Sequence, residues 1–139
     1  MFLPSLRNGL LLFLATAISG AATAQNAFDG YALYNLMNQT TSRLVNAQGQ
    51  IVKTWNCPNT FSYAVELKPN GNIVRTAVNS GNQINTAAVS GLIQELDPNG
   101  QVVWSFTYSS ADFVTHHDMA LMPNGNVLLL AYFKYTNFF

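Results

Sequence analysis

Four short stretches constrain this chain more than anything else in it: "NAQGQ" at 46–50, "KPNGN" at 68–72, "DPNGQ" at 97–101 and "MPNGN" at 122–126. Each places a glycine where a tight β-hairpin turn requires positive φ, and three place a proline two residues ahead of it to fix the approach. Between them run short segments rich in Val, Ile, Leu, Tyr and Trp. Past the first two dozen residues no segment carries the apolar spacing of a long amphipathic helix. The pattern predicts an all-β protein.

The turns are of two kinds, and they alternate. "NAQGQIVKTWN" resembles "DPNGQVVWSFT", with Gly49 and Gly100 51 positions apart (100 − 49), while "LKPNGNIVRTAV" resembles "LMPNGNVLLLAY", with Gly71 and Gly125 54 apart (125 − 71). An internal repeat near 50 residues, with two hairpins and so four strands per unit, is the pattern of a β-propeller blade. A ring of about four to eight such blades is needed for closure, because each blade buries its faces on its neighbours. This chain carries about two four-stranded antiparallel blades. The expected order is an outer half-blade around Gly49, a full blade over 62–108, and a last unit from His116 that stops after its first hairpin. That is an incomplete ring, a propeller fragment over 25–139 truncated at its C-terminus. A small self-contained β-sheet protein is the alternative.

The first 24 residues read as a cleavable leader: Arg7 in a short polar start, an apolar run from Leu10 to Ile18, then Ala22-Thr23-Ala24 before Gln25. The expected product is secreted or periplasmic, and the apolar run is too short to span a bilayer. About 115 residues then remain, one small domain by size. With only 9% charged residues and zero formal net charge, the chain lacks the basic patch that holds nucleic acid or an anionic membrane. Cys57 is the single cysteine, so no internal disulfide can form. It is expected as a small buried hydrophobe rather than a catalytic thiol. Trp55 and Trp104 are expected in blade packing.

The repeat supplies a control on the polar residues. Aligning Gly71 with Gly125 sets Ser62-Tyr63-Ala64 against His116-His117-Asp118, so the histidine triplet is an addition in one copy and not a requirement of the hairpin. If the "PNGN" hairpin is innermost, the triplet stands at the funnel where propellers bind small ligands. On a regular strand only one of His116 and His117 faces that funnel, with Asp118 on the side of His116. Imidazole there suits nucleophilic, acid/base or metal-binding roles. Metal binding is the weakest of these, because three consecutive strand residues do not converge on one ion.

With these residues in view, "FDGYALYN", "VNAQGQIVKTWN", "VELKPNGNIVRT", "GLIQELDPNGQVVWSFTYSS" and above all "HHDMALMPNGNVLLLAY" resemble the N-terminal blades of the bacterial arylsulfate sulfotransferases, secreted six-bladed β-propellers. The resemblance runs from about Phe28 to Tyr132. It implies transfer of a sulfuryl group from a phenolic sulfate ester to a phenol acceptor through a sulfated histidine, with no cofactor and no metal, and it leaves room for a homo-oligomer of the complete protein. His116 or His117 would contact sulfuryl oxygens or move protons, with the nucleophile expected in a later blade. Asp118, Arg75 and Tyr108 are weaker candidates for substrate contact. For Arg75 a solvated strand-end arginine is the plainer reading, and Tyr108 lies in the loop leading to the histidines. The chain departs from the family at Tyr132-Phe133, where an acidic residue is usual. A non-catalytic secreted propeller that binds a ligand, or a fragment with no activity of its own, are the competing functions.

Overall fold

The computed structural model describes residues 29–135; the expected leader and its cleavage site lie outside the described residues. Nine strands follow one another: β1 (Tyr31–Asn35), β2 (Thr41–Asn46), β3 (Ile51–Asn56), β4 (Phe61–Leu67), β5 (Ile73–Val78), β6 (Gly91–Leu96), β7 (Val102–Thr107), β8 (Phe113–Leu121) and β9 (Val127–Phe133). They form three antiparallel sheets in strict sequence order, β1-β2-β3, β4-β5-β6-β7 and β8-β9. The described chain is all-β.

The four expected turns are present, with φ of 76°, 84°, 83° and 86° at Gly49, Gly71, Gly100 and Gly125. Each is closed in the same way, the glycine N–H donating to the carbonyl three residues back and the first turn residue donating to the carbonyl four residues on. The two kinds of turn differ in the side chain that braces them. In the first kind the opening residue does the work: Asn46 Oδ1 accepts from the N–H groups of Gln48 and Gln50, and Asp97 Oδ1 from those of Asn99 and Gln101. In the "PNGN" kind the middle asparagine does it, Asn70 bracing Asn72 and Asn124 bracing Asn126. An Asx side chain that mimics a backbone acceptor locks the turn and with it the strand register.

The order of units matches expectation with one correction. The first sheet has three strands, not two, because β1 pairs with β2 from Tyr31↔Asn46 to Asn35↔Ser42. The β1–β2 connection carries no glycine; Asn38 takes the positive φ (61°) instead, so a glycine-based reading of turns passes over it.

Alternation on β5 organises the core. Ile73 packs with Trp55, Cys57 and Leu96 against the first sheet, and its neighbour Val74 packs with Ile93 and Met119 against the third. The middle sheet is thus covered on both faces, and β5 is buried over Ile73–Ala77. Cys57 is buried, as expected, and so is Trp55. Trp104 is not: it is 44% exposed, on a strand that is exposed at all six positions. Arg75 departs most from its reading. It sits in the middle of β5 and is fully buried, because the odd-numbered face of β5 lies against the first sheet.

Candidate functional site

β4 and β8 share an irregularity that period-2 reasoning does not anticipate. In β4 the register passes from Phe61↔Ala77 to Val65↔Arg75, four residues opposite two, and in β8 it passes from Thr115↔Ala131 to Met119↔Leu129, again four opposite two. Each strand therefore carries a bulge with two extra residues. The bulges are equivalent in the repeat, and His116, His117 and Asp118 occupy the one in β8. In β4 the Thr76 hydroxyl fills the gap, accepting from the N–H groups of Tyr63 (3.1 Å) and Ala64 (3.0 Å).

The bulge overturns the expected geometry. Alternation fails inside it, so the rings of His116 and His117 come together instead of pointing apart, with centroids 4.1 Å apart at 80° and the two Nδ1 atoms hydrogen-bonded to each other. Such a bond needs one Nδ1 as donor and the other as acceptor, and the tautomer of each ring decides which is which. A phenol flanks each ring: Tyr132 lies edge-on to His116 at 4.3 Å, and Tyr63, from the equivalent bulge of β4, lies edge-on to His117 at 5.7 Å. Asp118 is exposed and its Oδ1 accepts from the N–H of Met119.

A buried hydroxyl network fixes the backbone beneath the rings. Ser90 Oγ donates to the His116 carbonyl at 2.7 Å and contacts Ser62 Oγ at 2.6 Å, while Thr115 Oγ1 accepts from the N–H of Gly91. Ser62, Ser90 and Thr115 are all buried. From the other end, Glu66 of β4 accepts the N–H of Leu121 at 3.0 Å. The histidine bulge is therefore carried by the middle sheet as much as by its own hairpin.

Burial, followed by the neighbouring His117 charge, lowers the pKa of His116, and the Asp118 carboxylate opposes this without reversing it. A neutral His116 at neutral pH has a lone pair available for a proton.

The other expected residues lie elsewhere. Arg75 contacts Asn59, Gln94 and the ring of Phe61, in the layer between the first two sheets. Tyr108 stacks on Phe113 (4.3 Å) and Phe106 (6.2 Å), one rung of an aromatic stripe that runs from Trp104 to Phe133. A separate cleft of about 530 Å³ opens near the "PNGN" turns, walled by Val74, Trp104, Leu121 and Val127 with Lys68 and Glu95 at its edge. Sequence reasoning missed Tyr63 and Tyr132 as site residues. Tyr63 could have been found, since it is the repeat counterpart of His117.

Fold and site together define an all-β protein of serial antiparallel meanders with a hydrogen-bonded histidine pair between two phenols. Comparison with known proteins adds no relative: protein families, curated proteins and solved structures each return no match.

Proposed function

We propose that the three sheets are successive blades of a β-propeller, and that the protein is an arylsulfate sulfotransferase-like enzyme in which His116 and His117 serve sulfuryl transfer between phenols. The observation that carries this reading is the contacting histidine pair itself, held beside two tyrosine rings in an insertion that the equivalent hairpin fills with Ser62, Tyr63 and Ala64. The resemblance of "HHDMALMPNGNVLLLAY" to the sulfotransferase motif supports it.

The chemistry asks for two proton movements. When the S–O bond of the donor ester breaks, the leaving phenolate takes up a proton; when the acceptor phenol attacks the sulfated nucleophile, it gives one up. A histidine pair that begins with one ring as imidazolium can give the first proton to the leaving phenolate, and as two neutral rings can then take the second from the acceptor phenol, returning to its starting state after each full cycle. The aromatic edges of Tyr63 and Tyr132 offer a surface against which a phenolic ring packs. In this reading the pair handles protons and sulfuryl oxygens, and the nucleophile that carries the sulfuryl group is a separate residue.

A non-catalytic binding module is the second reading. The 530 Å³ cleft favours it, since its walls are largely apolar and it holds no histidine. Turnover of 4-nitrophenyl sulfate with a phenol acceptor separates the two. The enzyme reading expects 4-nitrophenol release that rises with acceptor concentration and falls about a hundredfold in His116→Ala or His117→Ala, the usual scale for a lost acid/base group. Saturable binding of aryl sulfates without release, unchanged in those variants, would establish the binding module instead.

A further inference from the structure

The buried guanidinium of Arg75 has no role in the site above, and its surroundings are unusual. Arginine has five N–H hydrogens and is always charged. The two on Nη2 are used, donating to the Asn59 carbonyl and to Gln94 Oε1 (3.3 Å), and Gln94 is held in that orientation by its own bond to Asn59 Oδ1 (2.8 Å). The hydrogens on Nε and Nη1 meet no partner among the described residues, although the side chain is fully buried. The Phe61 ring, 5.3 Å from Cζ, covers one face of the guanidinium but supplies no anion.

Among the described residues no carboxylate balances the charge either. The one ion pair among the described residues joins Lys68 to Glu95, at 2.9 Å. Cys57 lies beside the guanidinium as its sulfur neighbour, and its Sγ also reaches the Trp55 carbonyl at 3.7 Å. Trp55 Nε1, in the same inter-sheet layer, is a second buried N–H with no partner among the described residues. A buried charge without a counter-charge destabilises a fold by several kcal/mol, and a water molecule would satisfy the hydrogen bonds without touching that term.

We propose that the layer between the first and second sheets holds a small monovalent anion, chloride in ordinary solution, against the Nε and Nη1 hydrogens of Arg75. The same inter-sheet layer is filled by the buried cluster of Trp55, Cys57, Ile73 and Leu96, which selects a compact ion over a bulky one, and the single cation selects one negative charge. The ion would fasten the first sheet to the second, so the inference concerns stability and stands independently of the sulfuryl-transfer reading.

The test uses the full chain at constant ionic strength, with chloride exchanged for gluconate, a singly charged anion too bulky for the layer. Chloride is expected to raise the thermal unfolding midpoint saturably, by roughly 5 °C or more for a site that fills at ordinary salt concentrations. Cys57→Ala should retain that rise and Arg75→Met should lose it. Because removal of a buried cation can itself unfold the chain, anomalous diffraction from bromide-soaked crystals gives a second readout, with a bromide peak expected beside Arg75. A midpoint indifferent to chloride in the unaltered chain, or crystals with no bromide there, overturns the proposal. So does a chloride response that arises only in Cys57→Ala, which would make the thiol the counter-ion.

Discussion

At the scale of single residues, the fold rests on a few side chains and glycines whose substitution has a definite sign. The lowered pKa of His116 makes stability depend on pH. The unfolded chain takes up that proton first, so the contribution is complete above the ordinary histidine value of about 6.5 and is lost as pH falls through it toward the lower folded value. The unfolding midpoint should drop as pH falls below about 6.5, more steeply than in His116→Asn; a flat or opposite profile contradicts the assignment. Gly49 and Gly100 both need positive φ, so alanine at either is expected to lose about 1–2 kcal/mol from backbone strain. They differ in surroundings: a Cβ on Gly100 would meet the Asn56 carbonyl oxygen at 2.7 Å, whereas none of the neighbours of Gly49 comes within 4 Å. Chemical denaturation should therefore rank Gly100→Ala as the more damaging, and equal losses would show that the β3 backbone yields.

At the scale of elements, Glu66 ties β4 to β8 through the N–H of Leu121. Glu66→Ala leaves that N–H without its charged acceptor and should cost about 1.5–3 kcal/mol, with Glu66→Gln restoring most of it; equal losses in both variants would assign the effect to packing. The hairpins were the legible part of this architecture, because a glycine at positive φ and an Asx brace leave a mark in five residues. β1 left none, since Asn38 turns the chain where a glycine would have been noticed. The bulge was hidden for a different reason. Period-2 alternation assumes a continuous ladder, and no glycine or proline in "FVTHHDMAL" marks a break in it; only the pairing partner shows four residues opposite two. From that one irregularity follows the error about the histidines, which the sequence separates onto opposite faces and the bulge brings into contact. Arg75 was misplaced by the reverse assumption, that a charged residue on a strand seeks water.

At the scale of the whole molecule, the sheets are unequally finished. The middle sheet is covered on both faces, while β7 is exposed throughout and β9 leaves Leu128 at 63% and Leu130 at 52% exposure on an edge strand without a charged residue. Such an edge is a template for pairing with another chain. The described chain alone should associate at micromolar concentration, and Leu128→Lys with Leu130→Lys should shift size-exclusion elution toward the monomer; a clean monomer of the unaltered chain would contradict this. The central claim remains that the bulge makes His116 and His117 one proton-handling unit for sulfuryl transfer. A double-mutant cycle on the transfer of sulfuryl from 4-nitrophenyl sulfate to phenol tests it most directly. Each single alanine variant should lose about a hundredfold and the double variant no more than either alone. Near-normal rates in the singles, or losses that multiply in the double, would show that the two rings do not act together in the reaction.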